Sequence, residues 1–246
     1  MEDYKFARQT HMDAYNTDIA RRATAGGVLR QFNETATENM SFFGPSYDEL
    51  LDTGRALMVS RMDIEILQPP VMDEPVTVCT WPSLPRGAVI NRCYEMYRGE
   101  ELLARGYSDW ALVEIQTRKI LRMRDDTFPN YRYGDSVNFF GKKLHIDKET
   151  AAAMELAGVH KVTLRDCDCN GHVNNTYYVD ILCDYIPELY DYEHHRVNKV
   201  RIHYAKEAPL GSDISIRRIR TEEGWFFQTF LEDGSLNVEC QIGVQI

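Results

Sequence analysis

The chain has 246 residues, a formal net charge of −10, 43% hydrophobic and 27% charged residues. That length fits one large domain or two of about 120 residues. The acidic balance argues against nucleic acid as a main partner, because phosphate binding needs a basic face. No apolar run approaches the roughly 18 residues of a membrane span.

The first sixteen residues, MEDYKFARQTHMDAYN, carry no apolar signal-peptide core, so the cytoplasm is the expected compartment. They contain a strand, Tyr4 to Thr10. A long helix follows, with Ala25, Val28, Leu29, Phe32 and Ala36 on one face and Thr17 or Asp18 as its cap. Gly26 and Gly27 inside it imply close approach of a sheet. Gly44-Pro45 ends the segment. Strands are expected over Arg55–Leu67, Val76–Trp81, Val89–Arg98 and Leu102–Ile115, with Arg98-Gly99-Glu100 as a hairpin turn. The stretch from Arg124 to His145 is rich in Pro, Gly, Asn and Asp and reads as a linker.

The second half repeats the order. A strand over His160–Leu164 leads into DCDCNGHVNNTYYVDILCDYI, residues 166–186. Asp168, Asn170 and His172 alternate and can present their polar ends to one side. Tyr177, Tyr178, Ile181, Leu182, Tyr185 and Ile186 form one face of a helix closed by Pro187. Strands follow over Val197–Tyr204, Ile214–Ile219, Trp225–Leu231 and Asn237–Ile246, with a hairpin at Asp233-Gly234. MDIEILQPPVMDEPVTV mirrors IHYAKEAPLGSDISI: strand, proline-containing turn, acidic residue, strand. This internal repeat implies an α+β tandem double hotdog, each copy a long helix wrapped by a curved antiparallel sheet. The expected division is 1–128, a linker over 129–145, and 146–246.

A carboxylate, an amide and an imidazole thus converge at the start of a helix, where unpaired N–H groups carry partial positive charge. They can orient a water and stabilise an oxyanion. Asp, Asn and Gly before a helix are also ordinary caps. The six cysteines lack paired spacing and read as reduced thiols. Cys and His spacing fits no zinc site, and no phosphate loop is present, so neither metal nor cofactor is expected.

The segment from Asp166 to Pro187 resembles the active-site segment of the acyl-acyl carrier protein thioesterases, and GEELLARGYSDWALVEIQTRKILRM, with Trp110 and Thr117-Arg118, resembles a second block of that family. The resemblance covers nearly the whole chain. It implies hydrolysis of fatty acyl-acyl carrier protein, with a phosphopantetheine-linked acyl chain as substrate and a homodimer left open. It assigns catalysis to Asp168, Asn170, His172 and, in Tyr204-Ala205-Lys206-Glu207, to Glu207. Ala208 stands where the plant enzymes have Cys, so a thiol mechanism is not implied. Cys167 and Cys169 should point into packing. Glu207 or Asp168 would activate water, direct attack by Asp168 being the competing route, and the N–H groups of Val173 and Asn174 would hold the oxyanion. The first copy lacks Asn-x-His, and Gln68 lies near the position of Glu207, so one site per chain is expected. Carrier-protein docking is assigned to Arg118, Lys119, Arg217 and Arg218, with Lys142 and Lys143 as second choice. An acyl-CoA thioesterase and a non-catalytic acyl-binding hotdog protein are the alternatives.

Overall fold

The computed structural model describes residues 3–124 and 127–246. Asp125 and Asp126, within the first half as divided above, lie outside the described residues. Ten strands form one antiparallel sheet: β1 (Phe6–His11), β2 (Arg55–Ile66), β3 (Pro75–Pro82), β4 (Val89–Arg98), β5 (Glu101–Glu114), β6 (Glu155–Lys161), β7 (Arg196–Tyr204), β8 (Asp213–Thr221), β9 (Gly224–Phe230) and β10 (Leu236–Gln245). Their spatial order is β1-β3-β4-β5-β2-β7-β10-β9-β8-β6. The second five reverse the first five, as a twofold repeat requires. This is the α+β double hotdog. The join is β2 against β7, from Arg61↔His203 to Glu65↔Lys199. It covers an edge that each five-stranded half would otherwise expose.

The long helix α1 spans Ala25–Phe43. Its face of Val28, Leu29, Phe32 and Ala36 is buried, and Phe32 stacks on Tyr94 of β4 at 5.0 Å between ring centroids. The cap is Thr24, whose hydroxyl accepts from the Gly27 N–H, not Thr17 or Asp18. Those two residues lie in the preceding loop, where Thr17 bridges to Ala23. The glycine pair does mark close approach, but not to the sheet. A Cβ on Gly26 would sit 2.1 Å from Asp180 Oδ1, and one on Gly27 2.4 Å from the Asn16 carbonyl oxygen.

Three other expectations are corrected. The second copy's helix is short: α4 covers Tyr177–Cys183, and a 3₁₀ turn takes over at Pro187–Tyr190. Its apolar pattern was read correctly, since Tyr178, Leu182 and Ile186 are buried. The strand before the Asp-rich loop is Glu155–Lys161 rather than His160–Leu164. The linker stretch has no regular element but is packed: Phe128 and Tyr131 are buried with Leu50, Ile90 and Leu112, and the Trp81 indole N–H donates to the Asp135 carbonyl. Two short helices went unpredicted. The helix α2 (Tyr47–Asp52) starts on a capping box formed by Ser46 and Glu49, and α3 (Lys148–Ala153) starts on Asp147.

The repeat extends to the loops before α1 and α4. The Asp18 N–H donates to the Arg22 carbonyl at 2.8 Å, and the Asp168 N–H to the His172 carbonyl at 3.1 Å. The Ala23 N–H donates to Pro70, and Val173 to Ala208. Gly171 has φ 78°, the left-handed conformation held in the first copy by Arg21 at 61°. Arg22 therefore stands where His172 does, and Ala20 where Asn170 does. Pro69, the residue before Pro70, stands where Glu207 does, one place beyond the expected Gln68. By the same correspondence, two ion pairs lie on the pseudo-twofold axis. Arg30 of α1 reaches its counterpart Asp180 of α4 at 2.5 Å, and Asp63 of β2 faces its counterpart Arg201 of β7 at 3.7 Å.

Asp63 is fully buried, and its Oδ2 also accepts from the Arg61 guanidinium. Removing one member of a buried charge group leaves the others uncompensated. Asp63→Ala should therefore destabilise the protein by about 3–5 kcal/mol in urea unfolding. Adding Arg61→Met and Arg201→Leu should restore most of that loss. An unchanged unfolding midpoint in the single variant would show that this group contributes nothing to the join.

Candidate active site

The loop over Asp166–Thr176 is built by its own short side chains. Asp166 Oδ2 accepts from the Thr163 N–H at 2.7 Å, the Thr163 hydroxyl at 2.8 Å and His160 Nε2 at 3.1 Å. Asn174 Oδ1 accepts from the Thr176 N–H and hydroxyl. Asp168 Oδ1 accepts from the Asn170 N–H at 2.8 Å, an Asx turn that fixes the carboxylate and leaves Oδ2 without a hydrogen-bond partner among the described residues. The loop is pinned to the strand-to-turn segment after β7 by the bridge His172↔Pro209. That pin brings Glu207 to the imidazole.

Asp168, Asn170, His172 and Glu207 line one cleft of about 320 Å³. His172 lies between two carboxylates, with Nδ1 3.9 Å from Asp168 Oδ1 and Nε2 3.6 Å from Glu207 Oε1. Both separations exceed a hydrogen bond. All three side chains are half-buried, at 19–29% exposure.

Two first-half residues complete the site, and the sequence reading missed both roles. The Tyr47 hydroxyl, on α2, donates to Asn170 Oδ1 at 2.6 Å. Burial chiefly raises the Tyr47 pKa, so it stays a donor. With its oxygen held, Asn170 keeps its NH₂ group to offer a ligand. Arg118 forms two parallel bonds to Glu207, both at 2.8 Å. It follows β5 in the left-handed conformation, φ 56°. As an ion pair open to solvent it contributes at most about 1 kcal/mol to stability. Its bidentate geometry orients the carboxylate.

Several predicted roles therefore change. The Val173 N–H donates to the Ala208 carbonyl at 2.9 Å and the Asn174 N–H to the Asp166 carbonyl at 2.8 Å, so neither is free for an oxyanion. Arg118 belongs to the cleft and is not an independent docking cation. Lys119, beside it, is exposed. Arg217 and Arg218 lie on β8, separated from β7 by β9 and β10. Arg218 is bound to Glu155 and the Tyr185 carbonyl and stacks on Trp225. Neither lines the cleft. Lys143 approaches Asp109 instead, at 3.8 Å. Cys167 packs against the core as expected, but Cys169 is exposed. Burial raises the thiol pKa of Cys167 and of Cys183, and neighbouring aspartates add to it. Among the described residues no group of three or more His, Cys, Asp or Glu side chains is arranged to hold a metal, and no helix is long and apolar enough to cross a membrane.

The chain is similar to known proteins over most of its length. Residues 3–131 match the family model of the acyl-ACP thioesterase N-terminal domain, and residues 149–242 that of the C-terminal domain, ACP being acyl carrier protein. A chloroplastic acyl-[acyl-carrier-protein] hydrolase of Cuphea viscosissima is 25% identical over 201 residues, 74% of this chain and 47% of that protein. A chloroplastic oleoyl-acyl carrier protein thioesterase of Arabidopsis thaliana is 25% identical over 231 residues, 84% of this chain and 61% of that protein. The chain thus spans about half to three-fifths of the length of these relatives. Among solved structures, an acyl-ACP thioesterase from Bacteroides thetaiotaomicron superposes with a TM-score of 0.88 at 19% identity, over 99% of this chain and 98% of that one. A 12:0-ACP thioesterase from Umbellularia californica gives 0.82 at 17% identity, over 100% and 98%.

The loop and the α4 helix after it can be tested in two ways. Burial raises the Asp166 pKa, but the Thr163 and His160 hydrogen bonds outweigh it and hold the carboxyl below its usual range. An acid with a depressed folded pKa stabilises above the unfolded value of about 3.9 and loses that contribution as pH falls through the folded one. Urea unfolding from pH 6 to pH 2 should show the loss, and Asp166→Asn should flatten that part of the profile. Separately, Cys167→Ser and Cys183→Ala should each keep most of the hydrolytic activity. A folded but inactive variant of either would bring a thiol into the chemistry.

Proposed function

The chain belongs to the acyl-ACP thioesterase family, and from that membership we propose that it hydrolyses fatty acyl-acyl carrier protein to free fatty acid and carrier protein. The observation that carries the reading is the single cleft holding Asp168, Asn170, His172 and Glu207. Thiolate leaves readily at neutral pH, so the reaction needs an oriented nucleophile and an oxyanion site more than a strong acid.

In this reading Asp168 is the base for water. Its Oδ2 is free, whereas both oxygens of Glu207 are engaged by Arg118. The bidentate pair fixes the Glu207 carboxylate beside His172. The oxyanion falls to donors with capacity to spare: the Asn170 NH₂, aimed by Tyr47, in place of the N–H groups of Val173 and Asn174. Attack by Asp168 itself on the carbonyl, giving an anhydride, uses the same free oxygen. Labelled oxygen from water appearing in the enzyme after one turnover would mark that route.

The carrier protein as substrate, the cytoplasm as compartment and docking through Lys119 are parts of the proposal. The protein's charge of −10 makes a local cation at the cleft mouth important for an acidic partner. Asp168→Asn should lower turnover of a dodecanoyl carrier-protein thioester by at least about a hundredfold, the usual scale for a positioned acid–base group, with an unchanged unfolding curve. Near-normal turnover would remove Asp168 from the mechanism. Equal turnover of dodecanoyl-CoA and the carrier-protein thioester would make the acyl-CoA thioesterase the better reading.

A further inference from the structure

The first-half loop over Asp18–Arg22 opens onto a second cavity, related by the pseudo-twofold axis to the catalytic cleft and larger, about 670 Å³. It keeps the backbone of the site and one of its four polar side chains, Asp18 at the place of Asp168. Ala20 replaces the amide, Pro69 replaces the carboxylate, and Arg22 replaces the imidazole. Arg22 is consumed by the protein: it pairs with Asp18 at 3.0 Å and donates to the carbonyls of Tyr192 and His195. Asp18, at the place of Asp168, has both oxygens taken by Arg22, so no free carboxylate is left there to activate water, yet the cavity has not been filled in.

Its charges do not cancel. Arg22 is neutralised by Asp18, and Arg30 by Asp180. Two lining cations remain, Arg165 and Arg196, against one carboxylate, Asp184. Arg196 has no acidic partner among the described residues; with the Gln245 amide turned so that its oxygen faces it, that neutral group accepts from Arg196 at 2.9 Å. Arg165 is exposed and has no acidic partner among the described residues. The wall beside them is apolar, formed by Ala23, Pro69, Leu189 and Val197. Its rim carries Tyr15, Ile19 and Tyr190, exposed at 95%, 78% and 74%. Uncompensated arginines beside an apolar wall select an anionic amphiphile, since burying the tail and pairing the head are both favourable.

We propose that this cavity is a non-catalytic binding site for a long-chain carboxylate, its head on Arg165 and Arg196 and its tail along the aliphatic wall. The choice of carboxylate rests on the proposed reaction, which releases such a molecule. The site itself rests on the cavity and its charges.

The test uses the full chain and a dodecanoate bearing a photoactivatable diazirine on its tail. After irradiation and proteolysis, the label should appear on residues 15–25 or 189–197. Label confined to residues 204–207 and the Asp168 loop would overturn the proposal. In calorimetry, affinity should tighten about fourfold per added methylene from octanoate to dodecanoate. Arg165→Glu with Arg196→Glu should weaken dodecanoate at least tenfold and leave 1-dodecanol unaffected. The double variant should retain thioester hydrolysis, which also verifies its fold. Should it instead be inactive or unfolded, Arg165→Gln alone, at an exposed position, must still weaken dodecanoate severalfold, and failure to do so refutes the site. Labelling of the cavity in a chain with no thioesterase activity would refute the proposed function alone. Hydrolysis without labelling there would refute this inference alone.

Discussion

The pairing of β2 with β7 is the contact on which the rest of the molecule depends. It turns two five-stranded sheets into one and sets the two helices against each other across the axis. It also creates the candidate cleft, whose parts come from both sides. Asp168, Asn170, His172 and Glu207 belong to the second half, whereas Tyr47 and Arg118 belong to the first. Neither half alone holds Asn170 and Glu207 in place. Hydrogen bonds and ion pairs across the join do so, supported by the buried Arg61 and Asp63 and the half-buried Arg201.

The two halves show how little of a site is backbone. Both loops close with corresponding hydrogen bonds and both use a left-handed residue at the same point. What separates them is three side chains. The proline that follows β2 removes a carboxylate, an alanine removes an amide, and an arginine removes a titratable nitrogen. The scaffold is therefore tolerant, and the chemistry is grafted on it.

Much of this was legible in the chain itself. Strand alternation and the mirrored turn segments revealed the repeat, and with it the architecture. The Asp-x-Asn-x-His run located the loop because its short side chains can only make local turns there. Glu207 emerged from family resemblance, as its local setting before a proline-containing turn is indistinguishable from that of an ordinary surface carboxylate. What stayed hidden depended on distant parts of the chain. Arg118 read as a surface cation because its partner is 89 residues away. The donors of Val173 and Asn174 looked free because the carbonyls that claim them lie on other turns. The α4 helix was overread because its apolar face continues into a 3₁₀ turn without a change of pattern. The capping box of α2 was a readable signal, but not that the hydroxyl at its start would meet Asn170.

The two ion pairs on the pseudo-twofold axis carry a further consequence. Residues on such an axis meet their own counterparts, so two identical halves would set arginine against arginine or aspartate against aspartate at each place. A charge on the axis of a symmetric assembly can only repel itself. Joining the halves in one chain lifted that restriction, because each position could then diverge from its twin. Arg30 with Asp180 and Asp63 with Arg201 make each half the wrong partner for a second copy of itself. The repeat has become a lock with two unlike sides, which fixes each half against the other in one register.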